Sequence, residues 1–282
     1  MARRRFTEDP TSRLAVWARR FALFSLVAVM LSIIIVRSGV LEIEPALATF
    51  GGALAFAVLG ILLGFAAFAV IWVHGLGGLG YALSAIGIGF MLLAYPVYLG
   101  YKAYRLPAIA DITTDPIDPP RFEAVARVRP RSANTVIYAG LYAAELQRMA
   151  YPEIEPLVVS APAKAAFDAA LALASKRKWR VVDSREPTAT RREGRIEAVA
   201  RTPIMGFRDD VVIRVRPAGE DSRVDVRSAS RYGRHDFGSN AARIRSLLDD
   251  LNEVVEAEQE KTERRAAKQQ KTTRKPQGAA RR

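Results

Sequence analysis

Asp209 and Asp210 stand side by side. Hydrolases use paired carboxylates when one acts as acid and the other as base or nucleophile on a single substrate. If a strand already covers both, alternation sends them to opposite faces, so they are not expected to act together. His235, Asp236 and Ser239 are the residue types of a nucleophile, base and orienting acid, but a triad is defined by geometry rather than by closeness on one loop; a loop-and-cap role is expected. Asp111, Asp115 and Asp118 invite comparison with a calcium loop. The glycine and closing glutamate of that motif are missing, so the three read as turn and capping residues. Gly75, Gly77 and Gly80 satisfy G-x-G-x-x-G. Dinucleotide binding by that motif needs a short preceding strand and an acid about 20 residues later, whereas a long apolar segment precedes it and YPVYLGY at 95–101 holds no acid. There is no cysteine, which removes disulfides, thiolate metal sites and cysteine nucleophiles. His235 has no second histidine in its domain for a zinc site. No catalytic residue, cofactor or metal is expected.

What remains is arginine chemistry. WRVVD at 179–183, RIEAVAR at 195–201, DVVIRVR at 210–216 and RVDVRSAS at 223–230 read as four strands separated by turn signals. Alternation turns Ile196, Ala198, Ala200, Val211, Ile213, Val215, Val224, Val226, Ser228 and Ser230 toward flanking helices. The opposite face gathers Arg195, Glu197, Arg201, Asp210, Arg214, Arg216, Asp225, Arg227 and Arg231. The expectation for it is a salt-bridged solvent face, whose single pairs contribute little. The sharper alternative is a shallow groove for an anion such as a lipid headgroup or glycan phosphate, because guanidinium presents a bidentate fork. The ligand-binding candidates are Arg201, Asp210, Arg214, Arg216, Asp225, Arg227 and Arg231.

The elements that must carry these residues divide the chain in two. Phe21 to Val36 is uncharged, and Ala46 to Tyr101 holds no Asp, Glu, Lys or Arg. A helix crossing a bilayer needs roughly 20 apolar residues, so spans are placed at about 17–36, 47–72 and 79–100, the glycines after His74 making the turn between the last two. Gly60 and Gly64, and Ala85 and Gly89, set small residues at the spacing that lets helices approach closely; packing the three helices together is the expected use. A cleaved signal peptide is disfavoured because VRSGVLEIEP offers no small-residue cleavage site. The net charge is +13, much of it in Arg3, Arg4, Arg5, Arg13, Arg19, Arg20 and the tail after Gln259. Beside membrane spans, anionic lipid is a simpler partner for it than nucleic acid. Basic residues before the first span place the N-terminus in the cytoplasm, so three spans put the soluble domain across the membrane.

The organisation expected is a basic N-terminus at 1–15, a transmembrane region at 16–104, an extended linker or strap at 105–130 rich in proline and aspartate, a soluble α+β domain at 131–256 and a basic tail at 257–282. A short helix is expected over 133–150, a clearer one from Ser160-Ala161-Pro162, and a last one capped by Ser239 and running to about Lys268, with disorder beyond. The fold class is α+β: a three-helix transmembrane region, then an antiparallel four-stranded sheet with helices on one face.

Several segments carry a resemblance. DITTDPIDPPRF at 111–122, YPEIEPL at 151–157, ARTPIMGFRDDVVIRVRP at 200–217 and SRVDVRSASRYGRHDFGSNAARIRSLLDDL at 222–251 resemble the bacterial and plastid family known as domain of unknown function 1499. Within them Gly206-Phe207 suits a turn with an anchoring aromatic. The family brings no established reaction or cofactor; the resemblance implies an envelope or lumen location. The combined expectation is a non-enzymatic, multi-pass protein of a bacterial inner membrane with a periplasmic domain that binds an anionic lipid, an envelope glycan or a protein partner. The alternatives are an enzyme using Asp209, Asp210 or His235, and an accessory subunit of a membrane complex.

Overall fold

The computed structural model describes residues 10–40 and 42–273, with only the backbone for Glu263 and 265–273. The basic residues Arg3, Arg4 and Arg5 and the terminal segment 274–282 lie outside the described residues. The chain forms two compact units.

The first unit holds α1 (Arg13–Ser38), α2 (Ile43–His74) and α3 (Leu79–Arg105). All three are long and apolar enough to cross a membrane, and each extends beyond its expected span into charged flanks, to Arg13 and Arg37 in α1, Glu44 in α2 and Lys102 and Arg105 in α3. The turns close on glycines in the left-handed region, Gly39 at φ 68° and Gly75 at φ 66°, a conformation without steric cost only for glycine. The small residues are used for packing within the chain, as their spacing predicts. A Cβ on Gly60 would meet Ala22 N at 3.3 Å, and one on Gly89 would clash with Ile61 Cγ1. Pro96 lies inside α3. Ser12 N donates to Gly77 O at 3.0 Å, which ties the start of α1 to the α2–α3 turn. By contacts this unit also takes in Pro203–Phe207, where Gly206 turns at φ 70° and Phe207 packs against a cluster of Val36, Ala46 and Met205.

The second unit is an antiparallel sheet with helices. Its elements are β1 (Asp111–Thr113), α4 (Ala124–Arg127), α5 (Leu141–Ala150), β2 (Leu157–Val159), α6 (Ala163–Lys176), β3 (Arg180–Arg185), β4 (Gly194–Arg201), β5 (Arg208–Ala218), β6 (Asp221–Ser230) and α7 (Ser239–Thr273). The strand order is β1-β6-β5-β4-β3, with β2 also on β6. The four expected strands form the meander β3 to β6. The two extra strands are three residues each, too short to signal themselves in sequence. α5 starts at Leu141 rather than near 133, Pro162 rather than Ser160 stands at the N-cap of α6, and α7 runs to Thr273, past Lys268.

Register settles which side chains share a face. Ile196 lies opposite Ile213, and Ile213 opposite Val226; these pack with Phe167, Leu173, Ile244, Leu247 and Leu251 of α6 and α7 in one apolar core. On the other face Val199, Val212 and Ala229 pack under Phe122 and Val125. Both faces are therefore covered. The face expected to meet solvent is buried under the chain from Leu106 to Gly140, because its arginines find acidic partners there.

Candidate functional site

The buried face is organised by charge. Arg214, Arg216 and Arg223 converge on Asp115, Asp118 and Asp225, three cations on three anions. Arg214 is 4% exposed and Asp225 fully buried. Arg214 Nε donates to Asp225 Oδ2 at 3.0 Å, Nη1 to Asp118 Oδ2 at 2.9 Å and Nη2 to the Asp118 carbonyl at 2.8 Å. Arg223 bridges from Asp225 Oδ1 at 2.9 Å to Asp115 Oδ2 at 2.8 Å. Asp115 also accepts from the amides of Ile117 and Asp118. It thus keeps the turn role expected of it and adds an ionic one, while Asp118 and Asp111 are ion-pair partners. Buried charges persist only when paired and hydrogen-bonded, and here the strap supplies the pairing.

Farther along β6, Arg227 grips Asp111 through Nε and Nη2 at 2.9 and 2.7 Å and donates to the carbonyls of Pro120 and Val136. Its guanidinium carbon lies 4.6 Å from the Phe122 ring centroid and 5.5 Å from that of Tyr138, within cation–π range. Arg231 donates twice to Asp210 Oδ1, at 2.9 and 2.7 Å, and Arg129 Nε lies 3.0 Å from Asp210 Oδ2. The Glu197 carboxylate accepts from the amides of Glu123 and Val125 at the start of α4, anion on helix N-terminus. Arg201 is exposed, opposite Arg208 at the end of its strand. Of the candidate residues, then, Arg214, Arg216 and Asp225 form one network, Asp210 and Arg231 another, Arg227 joins the strap, and Arg201 stands apart.

The residues considered for catalysis are held in structural roles. Asp209 and Asp210 do face opposite ways: Asp209 meets Arg243 of α7 at 2.5 Å, while Asp210 meets Arg231 and Arg129. His235 Nδ1 accepts from Phe237 N at 2.9 Å, so Nε2, 3.1 Å from Leu106 O, carries the proton. Asp236 caps α7, taking the amides of Gly238 and Asn240 at 2.9 and 2.8 Å; this corrects the expected Ser239 cap. Burial pushes the Asp236 carboxyl above its ordinary range.

Sequence reasoning passed over Arg129, Asn134, Tyr138 and Gln147. Gln147, 2% exposed, accepts from Thr113 N at 3.0 Å and donates to Thr113 O at 2.6 Å, pairing with β1 as a strand would. A signal was available: three aspartates in a run that proline bars from helix, opposite arginines at alternate strand positions. A groove of about 870 Å3 opens beside this corner, lined by Thr114, Pro116, Ile117, Leu141, Tyr142 and Arg148 among others. Ile117, Leu141 and Tyr142 are 97%, 88% and 77% exposed.

Residues 111–251 match the family described as protein of unknown function (DUF1499), half of the chain. Comparison with curated proteins gives no match.

Proposed function

The chain belongs to the DUF1499 family, and from that premise we propose that it is a membrane-anchored, non-catalytic binding protein of a bacterial envelope whose groove takes an anionic amphiphile. The observation that carries the reading is the groove itself. Its volume of about 870 Å3 falls in the range of small-molecule sites, roughly 300–1,000 Å3. Large apolar side chains at its border are exposed, which soluble surfaces reserve for contact. The three apolar helices keep the chain among lipids, so an amphiphile is the occupant at hand. Arg148 supplies the cation: its pair with Glu145 is solvent-exposed, hence weak, and an acidic headgroup can displace it. Asp115, also at the groove, is already committed to arginines. What supports a non-catalytic role is that Asp209, Asp210, His235 and Asp236 are each held in structural bonds.

The test is lipid mass spectrometry on the full-length protein purified in a neutral detergent. An anionic lipid enriched over the bulk extract is expected with the wild type and lost from the Leu141→Ser/Tyr142→Ser variant, with Arg148→Gln reducing it. The same lipid profile in all three proteins would sink the reading.

A further inference from the structure

Under the loop joining α4 to α5, the guanidiniums of Arg129, Arg227 and Arg231 meet, among the described residues, two carboxylates, Asp111 and Asp210. The Arg129 side chain is 4% exposed. None of its three nitrogens makes a hydrogen bond, and Tyr138 Oη is likewise buried without a partner. Asp210, Ala229 and Asp111 lie side by side in the register of β5, β6 and β1; Arg129 sits on Asp210, and Tyr138 lies beside Arg227, which holds Asp111, so Arg129 and Tyr138 border one patch of this face. Burial pulls the Arg129 guanidinium down from its ordinary value and pushes the Tyr138 phenol up to about 12, which keeps the phenol a neutral donor.

Buried donors without acceptors are costly, and the cluster carries one uncompensated positive charge. The one carboxylate oxygen here that lacks a hydrogen bond, Asp210 Oδ2, already faces Arg129 Nε. The remaining free groups, Arg129 Nη1 and Nη2 and the Tyr138 hydroxyl, are donors. Water would bring protons that need acceptors of their own. A halide or an ionised oxyanion accepts on every side and cancels the surplus charge. We propose that this cluster is a binding site for a small inorganic anion, with the free Arg129 Nη groups and the Tyr138 hydroxyl as its donors.

The covering loop is fastened from below. Asn134 N donates to Arg231 O at 2.7 Å, its Nδ2 donates to the carbonyls of Ser230 and Gly233 at 3.0 and 2.8 Å, and Val136 O accepts from Arg227 at 3.0 Å. Residues 130–140 hold no helix or strand, so an anion enters by local opening of this loop. The site is distinct from the groove and does not depend on what the groove binds.

The experiment uses the full-length protein in neutral detergent, titrated with sodium chloride or sodium phosphate against sodium gluconate at constant ionic strength. Hydrogen exchange of the β5 and β6 amides is followed, since these report the second unit alone. Slowing that saturates with chloride or phosphate, and is absent with gluconate, is expected. Arg129→Met should abolish it while leaving Asp210 paired with Arg231, so that the variant still folds. Tyr138→Phe, which keeps the shape and removes one donor, should raise the half-saturating concentration about 10-fold. Arg201→Met, at an exposed position, should behave as wild type. No anion dependence, or the same dependence in Arg129→Met, would overturn the site.

Discussion

Arg214 illustrates how burial changes the meaning of a charged residue. On an exposed face its removal would cost almost nothing. Here Arg214→Ala removes the most deeply buried of the three arginines on Asp225, leaving Arg216 and Arg223 to hold it, and weakens the hold on Asp118. Losing a buried charge-assisted hydrogen bond costs about 1.5–3 kcal/mol. Arg201→Ala, at an exposed position, should stay within about 0.5 kcal/mol of wild type. Denaturant unfolding of the two variants checks the contrast, and equal stabilities would mean that the network is solvated. Asp236 gives a pH prediction. Its pKa is raised, chiefly by burial and further by Asp209, against the pull of two amide bonds and His235. A raised folded pKa means the folded state holds the proton more tightly, so stability rises as pH falls from neutral through that pKa toward the ordinary value of 3.8. Asp236→Asn keeps an oxygen for the helix amides and does not titrate. The stability advantage of wild type over this variant should grow as the pH is lowered from neutral toward 3.8; an advantage that shrinks over that interval would contradict the burial of the charge.

At the scale of elements, the strap is held by side chains acting as backbone. Gln147→Leu removes both bonds to Thr113, leaving a buried amide and carbonyl unpaired at about 1–3 kcal/mol each. Faster exchange of the Thr113 amide and a lower unfolding midpoint are expected; unchanged exchange would show that another group replaces Gln147. The same contrast explains what was legible beforehand. The meander and its inward residues Ile196, Val211, Ile213, Val215, Val224 and Val226 could be read from period-two alternation, because short turns join strands that are neighbours in the sheet. α6 and α7 followed from helical spacing. The strap could not be read in this way. Its bonds join residues about a hundred positions apart, such as Arg227 to Asp111, and no local pattern encodes them. β1 and β2 exist because β6 offers them an edge. The candidate site was half legible: the arginines and Asp210 were identified, and their alternation was right, but solvent was assumed where the strap lies.

At the scale of the whole chain, the open quantity is topology. Ser12 pairs with Gly77, so the start of α1 and the α2–α3 turn share one side, while the ends of α1 and α3 and the start of α2 share the other. Arg3, Arg4, Arg5, Arg13, Arg19 and Arg20 precede or open α1; Arg37, Lys102 and Arg105 flank the opposite side. Basic residues close to the spans are retained in the cytoplasm, and six against three favours the N-terminal side. Since three spans reverse the side once overall, a reporter fused after Arg282 should work only if it requires export. A fluorophore that matures only in the cytoplasm should stay dark there and light when fused before α1. Replacing Arg3, Arg4, Arg5, Arg13, Arg19 and Arg20 with glutamine leaves none against three and reverses the bias, so the export-dependent reporter should lose activity and the C-terminal fluorophore should light. Cytoplasmic fluorescence from the unmodified C-terminal fusion would place the second unit inside the cell and remove the envelope from the list of places where its ligand is to be sought.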